Sequence, residues 1–245
     1  IPVVDKMYNV GGVSSVLDYS VEGKEDESAF DEAMNKTLKI INFAKEKKAI
    51  PFAVFKPTGF GRFELYEKLG EGQTLNEVEQ EEWNRVVERF DRVCKAAHEN
   101  DIALLIDGEE SWMQDAADDL VTEMMRKYNK EKAIVFNTLQ LYRWDRLDYL
   151  KKLHEQAKAE GFYIGMKLVR GAYMEKERKR AEDMGYPSPI QPDKESADRD
   201  YDEAVQPCID HLDQCSLILA SHNEHSNKLA VDLLQKKGLP INHER

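Results

Sequence analysis

The stretch Met166-Lys167-Leu168-Val169-Arg170-Gly171-Ala172-Tyr173 carries the densest chemistry in the chain. An apolar run from Phe162 to Val169 is interrupted near its end by a lysine. A second cation, a glycine, a small residue and an aromatic follow. A lysine inside a strand must be paired or must face something that wants a charge. A glycine at that point lets a ligand approach the backbone closely, where a side chain would block it. This is the pattern of an active-site floor. Polar residues stand just past other apolar runs in the same way: Asp18, Lys56, Asp107, Gln140 and the pair His222-Asn223. Cations, an amide and a His-Asn pair suit an anionic or electron-rich ligand. A flavin fits, since a cation near its N5 and pyrimidine carbonyls favours the reduced anion and basic groups hold a pyrophosphate. A phosphorylated sugar in an aldolase, with Lys56 or Lys167 as Schiff-base nucleophile, fits the same inventory.

Plainer readings stand beside these. Asp107-Gly108 reads as a turn, with Glu109 and Glu110 a solvated helix start favoured by the macrodipole. Gln140 can satisfy loop backbone, Lys56 can be a surface cation, and His222-Asn223 can cap a helix with His225 at the surface. Lys167 and Arg170 together resist such a reading best. His222 and His225 lack a third ligand at metal-site spacing. Cys208 and Cys215 read as core, and no Ser-His-Asp or Cys-His constellation appears.

The elements that must position these residues alternate. A short helix near Val3–Tyr8 precedes a first strand, Val13 to Ser20. Phe30, Met34, Leu38 and Ile41 give one helical stripe. A second strand, Ile50 to Phe55, ends at Lys56-Pro57, because proline cannot continue a central ladder. The next stretch, from Gly59 to Thr74, holds four glycines and reads as loop. Thr74 or Asn76 then caps a helix carrying Trp83, Val86, Val87, Phe90, Val93, Cys94 and Ala97 on one face. A third strand, Ile102 to Ile106, precedes a helix around Ala116–Lys127. A fourth, Ala133 to Phe136, exits into Asn137-Thr138-Leu139-Gln140, and a helix spans Arg146–Ala159. Phe162 to Val169 is the fifth. A long charged insertion with Pro187, Pro189 and Pro192 then leads to a helix about Ser196–Leu212. A sixth strand, Ser216 to Ala220, and a last helix ending near Pro240 complete the chain.

Apolar strands without polar alternation, each followed by a helix, predict a parallel sheet with helices outside. No glycine fingerprint of dinucleotide binding follows the first strand. The expectation is therefore an α/β fold, a (βα)8 TIM-like barrel with about six of its eight βα units present, in which the strand exits converge on one mouth. The whole of residues 1–245 reads as one incomplete barrel domain.

The net charge of −12 and the scatter of the 35 lysines and arginines argue against a nucleic-acid partner and against attraction to an anionic membrane surface. Three scattered cysteines point to a reducing compartment. No apolar run approaches the ~20 residues of a membrane span, and no signal peptide is visible. The chain starts at Ile1, so its true N-terminus is expected to lie upstream.

Three motifs, Val16-Leu17-Asp18-Tyr19-Ser20-Val21-Glu22-Gly23, Lys167-Leu168-Val169-Arg170-Gly171-Ala172-Tyr173 and Ala220-Ser221-His222-Asn223, resemble the proline dehydrogenase family in order and spacing. The likeness runs from about Val13 to the end of the chain. It implies an FAD-dependent (βα)8 barrel that oxidises L-proline, or hydroxyproline, to the pyrroline carboxylate by hydride transfer from C5 to flavin N5. Lys56 would then pair with the substrate carboxylate, Asp107 line the site and Tyr173 pack at the substrate. Thr138, Gln140 and Lys167 would contact the isoalloxazine, with Val169, Gly171 and Ala172 touching it through backbone. Lys167 stands where many bacterial relatives carry an arginine and so lacks a guanidinium fork. Lys194 would reach the phosphates, and Ser221, His222 and Asn223 the adenosine and pyrophosphate end. The resemblance also implies a quinone acceptor, peripheral membrane association of the parent, and a cytoplasmic or mitochondrial matrix location. One departure stands out. Nothing after Pro240 matches the paired arginines with a preceding tyrosine that bind the proline carboxylate in this family. The chain therefore reads as truncated at its C-terminus, with activity of the fragment left open alongside the aldolase and a non-catalytic remnant.

Overall fold

Five runs of four to six residues, four of them mainly apolar, are too short to fill helices and form strands instead. The computed structural model describes residues 2–18, 25–241 and 243. The strands are β1 (Phe52–Phe55), β2 (Ala103–Ile106), β3 (Val135–Gln140), β4 (Ile164–Val169) and β5 (Cys215–Leu219). They are hydrogen-bonded in that order, and β1–β2, β2–β3 and β4–β5 pair in parallel. The helices are α1 (Pro2–Gly11), α2 (Glu27–Ala44), α3 (Phe63–Gly70), α4 (Glu77–Asn100), α5 (Ser111–Tyr128), α6 (Arg146–Glu160), α7 (Met174–Met184), α8 (Lys194–Asp210) and α9 (Glu224–Lys236). No helix among the described residues is long and apolar enough to cross a membrane.

By its contacts the chain divides into two compact units. The first holds residues 1–128 and 134–136, the second residues 129–133 and 137–245. The first unit is built on aromatic rings. Phe55 stacks on Phe60 at 4.2 Å between centroids, and Phe90 of α4 meets both edge-on. Arg89, 4% exposed, closes this core by bonding Asp31 and Glu27 of α2 and the Phe60 carbonyl. Asn76 and Glu79 form a reciprocal capping box at the start of α4. In the second unit, α6 turns Leu150, Leu153 and Ala157 inward. α8 contributes Tyr201, Ala204, Val205 and Cys208, and β4 buries Ile164, Met166 and Leu168.

Several expectations are corrected. Among described residues the expected first strand amounts to one bridge, Leu17 to Ala53. Residues 13–16 and 18 are described and form no strand, while residues 19–23 of the first motif lie outside the described residues. Among the described residues five strands are present where six were expected in the chain. The glycine-rich stretch is not all loop. α3 occupies its middle, and a Cβ at Gly61 would sit 2.3 Å from Val86 Cγ2, so that glycine serves packing. The polar residues Asn137-Thr138-Leu139-Gln140 belong to β3 itself, buried throughout. The charged insertion contains α7, and α8 begins at Lys194.

Candidate active site

In the first unit, the exits of β1 and β2 are joined by a carboxylate. Glu109 lies two residues beyond Asp107, which itself donates its backbone N–H to the Phe55 carbonyl at 3.0 Å. Glu109 Oε1 accepts the Thr58 amide at 3.0 Å and Oε2 accepts the Thr58 hydroxyl at 2.7 Å. The Glu109 amide donates to Gln114 Oε1 at 2.9 Å, and Gln114 in turn donates to Asp118 at 2.8 Å. Burial pushes the Glu109 carboxyl up to about 7, against the two Thr58 hydrogen bonds; Glu110 adds to the rise and Lys56 opposes it. Tyr66 donates to the Pro57 carbonyl at 2.7 Å, and burial, then the charge of Glu109, hold its phenol well above its ordinary value.

Lys56 and Asp107 are thus placed at neighbouring strand exits, both half-buried. Pro57 opens a 3₁₀ turn, and the Lys56 carbonyl accepts the Gly59 amide at 2.9 Å. Glu109 and Glu110 are not a solvated helix start: they are 3% and 5% exposed. The sequence held a signal for this. Gln114, Asp118 and Thr122 recur at four-residue spacing on the buried face of α5, and polar residues riding such a face need buried partners.

In the second unit the organising group is Arg170, directly after β4. Its Nε donates to Asp198 at 2.6 Å, one terminal nitrogen to Ser221 Oγ at 2.8 Å, the other to Ser226 Oγ at 3.1 Å. Its guanidinium lies 4.3 Å over the Tyr201 ring. Ser226 passes its own proton to Asp202 at 2.6 Å. Burial works against the charge of Asp198, but Lys194 and Arg170 together hold its carboxyl below the usual range. Asp198, Tyr201 and Asp202 share one stripe of α8 at three- and four-residue spacing. That periodicity marks them as one face of the helix, though not the cation it meets.

The expected site residues of this unit fall into three groups. Thr138 and Gln140 are buried on one face of β3, and Lys167 and Val169 share the half-buried face of β4 while Met166 and Leu168 are buried on the other. Lys194, Ser221 and Asn223 do structural work: Lys194 pairs with Asp198, Ser221 accepts from Arg170 and from the Asn223 amide, and Asn223 caps α9 through Ser226. Ala172 and His222 are exposed, and Tyr173 is half-buried ahead of α7. Gly171 has φ +136°, and a Cβ there would lie 2.4 Å from the Tyr142 ring. Its lack of a side chain thus admits a tyrosine of this chain against its backbone.

A buried amide, a hydroxyl and a half-buried ammonium on two strands form a donor set that fits an electron-rich ring. The cations beyond it fit a phosphate less directly, because Arg170 and Lys194 are engaged with Asp198.

The family model described as proline dehydrogenase matches residues 4–244. The carbapenem antibiotics biosynthesis protein CarD of Pectobacterium carotovorum is 36% identical over 220 residues, 90% of this chain and 57% of that protein. The mitochondrial proline dehydrogenase 1 of Homo sapiens is 36% identical over 173 residues, 69% of this chain and 29% of that protein. The chain thus spans less than two thirds of the length of these relatives. Among solved structures, proline utilization A from Bdellovibrio bacteriovorus, inactivated by N-propargylglycine, superposes with a TM-score of 0.82 at 19% identity. It covers 98% of this chain and 26% of that one, and the fold is accordingly α/β of the TIM-like barrel type.

Proposed function

The chain belongs to the proline dehydrogenase family, and from that premise we propose that it carries the site for FAD-dependent oxidation of L-proline to Δ1-pyrroline-5-carboxylate. The observation that carries this reading is the face shared by Lys167 and Val169 on β4, with Gln140 and Thr138 on β3. A half-buried cation at a strand end stabilises negative charge developing beside it far better than an exposed one does. The chemistry supplied by the bound cofactor is acceptance of a hydride from proline C5 at flavin N5.

In this reading Lys167, Gln140 and Thr138 stabilise the charge that the transfer delivers. Val169, Gly171 and Ala172 offer backbone, and Lys194, Ser221, His222 and Asn223 hold the adenosine and pyrophosphate end. Lys56 orients the substrate carboxylate, Asp107 lines the site and Tyr173 packs on the substrate. Glu109 is a positioning residue, since its two bonds to Thr58 fix the segment that begins at Lys56. The finer assignments are a quinone acceptor, peripheral membrane association and a mitochondrial matrix or cytoplasmic location. The word mitochondrial in the name of the human relative supports the first of those two compartments.

The test is a visible absorption spectrum of the purified protein before and after anaerobic addition of proline. Flavin bands that bleach are expected. Failure to hold FAD after reconstitution would sink the cofactor assignment. Bleaching by hydroxyproline alone would reassign the substrate, and bands indifferent to both amino acids would remove the activity and leave the cofactor.

A further inference from the structure

At the opposite ends of β4 and β5 from Arg170, three chemically soft side chains meet that the proposed reaction does not use. They are His154 of α6, Cys208 of α8 and Cys215, the first residue of β5. One imidazole nitrogen and the two sulfurs all lie within 4.8 Å of one another. Both cysteines are fully buried, and both ring nitrogens of His154 are closed to solvent without a hydrogen bond of regular geometry. His154 interacts with the Cys208 sulfur, and Cys208 in turn with Cys215, so the three groups form one linked cluster.

The surroundings are rigid on one side and open on the other. The turn joining Cys208 to Cys215 is tight: the amides of Gln214 and Cys215 both donate to the His211 carbonyl, at 2.8 and 2.7 Å. On the other side, His154 lines a cleft of about 630 Å³ with Glu155, Tyr163, His211, Asp213 and Gln214. The His211 ring stands 5.5 Å from that of His154.

We propose that His154, Cys208 and Cys215 form a zinc site, with the fourth position filled from the adjoining cleft. Tetrahedral zinc with Zn–S of about 2.3 Å and Zn–N of about 2.0 Å sets its ligands roughly 3.5–3.8 Å apart. The cluster, whose ligand atoms all lie within 4.8 Å, reaches that spacing by closing by no more than about 1 Å, within the range of side-chain rotation. Charge favours the same ion. Two thiolates and a neutral imidazole around Zn²⁺ sum to zero, the arrangement that a buried site tolerates best. Metal entry displaces to solvent the protons that the thiols still hold. The filled site would pin α6, α8 and β5 together. It is independent of the flavin reading, since none of its ligands belongs to that site.

The experiment uses the purified protein, reduced and stripped with a chelator, then exposed to Zn²⁺ and gel-filtered for elemental analysis. Co²⁺ serves as a spectroscopic probe, read as a difference spectrum. One metal per chain and thiolate-to-cobalt charge-transfer bands are expected. Cys208→Ser and Cys215→Ser should each lose both signals, His154→Ala should lose stoichiometric uptake, and Cys94→Ala, a buried cysteine of the other unit, should keep everything. Circular dichroism checks that each variant folds; if Cys208→Ser does not, Cys215→Ser and His154→Ala decide. Reduced wild-type protein that retains no metal overturns the site, as does equal retention by the folded cysteine variants. A Cys208–Cys215 disulfide in freshly isolated protein, with no metal uptake after reduction, overturns it in favour of a redox pair.

Discussion

The two units solve one problem in opposite ways. In each, the exits of two neighbouring parallel strands are tied by a single ionisable side chain: Thr58 to Glu109 after β1 and β2, Arg170 to Ser221 after β4 and β5. The first tie is an acid surrounded by hydroxyl and amide groups, and burial pushes it towards neutrality at about 7. The second is a permanent cation, and with Lys194 it holds the Asp198 carboxyl ionised beside it. Between the two carboxylates, Glu109 and Asp198, burial and pairing account for the difference. Glu109 is buried, whereas the Asp198 side chain keeps 26% exposure beside two cations. A deeply buried carboxylate is pushed towards its neutral form, and a shallower one with opposite charges beside it stays ionised.

The contrast breaks first at Arg170. Arg170→Met leaves Asp198, Ser221 and Ser226 without their shared partner, and a loss of about 2–4 kcal/mol is expected in urea unfolding. Arg170→Lys should recover only part, because an ammonium cannot reach three acceptors in one plane. A full recovery would reduce the hub to a point charge.

Next comes the pH response. Below its ordinary value of 4.5 the Glu109 carboxyl is protonated folded or unfolded, and between there and about 7 only the folded state keeps its proton. Folding takes up a proton in that window, so stability should fall as pH rises through it, by roughly 2–3 kcal/mol. Glu109→Gln should flatten that slope in urea titrations at pH 5 and pH 8. Asp198 runs the other way: its carboxyl is depressed, and its contribution is present above the ordinary carboxylate range and lost on acidification. Asp198→Asn should therefore spare the neutral slope and remove part of the acid one. If both variants changed the same limb, the contrast would fail.

Smaller is Gly171→Ala, which places a Cβ at φ +136° against Tyr142. About 1–3 kcal/mol is expected, read as a lower Tm. The smallest effect on stability belongs to Lys167→Met, within about 0.5 kcal/mol. Under the proposed function it slows flavin reduction by proline in rapid mixing. An unchanged rate there would strip Lys167 of its role.

Most strands were legible because buried parallel strands read as apolar runs, and β1, β2, β4 and β5 fall where those runs stand. β3 was misplaced because its second half is polar by type yet buried. α7 was hidden because only Glu177 and Ala181 are buried on it, leaving no apolar stripe to find. α3 was masked by glycines that serve packing. At the site, Lys167 could be singled out because a lysine in a strand contradicts its surroundings. Glu109 was harder: the polar stripe of Gln114, Asp118 and Thr122 marks a need for buried partners, but which carboxylate is buried depends on Thr58, fifty-one positions earlier. Arg170 was noticed but its partners were not, since they lie on α8 and α9.

That distance along the chain has a consequence for time as well as for energy. Arg170 bonds residues 28, 51 and 56 positions further on, so each bond closes a long loop. Contacts of such range form after local helices, when most of the loop entropy has already been spent. A tie made late on the way in is broken early on the way out. The guanidinium should therefore act as a latch on the folded state: its removal should steepen the rate of unfolding and leave the rate of folding nearly untouched.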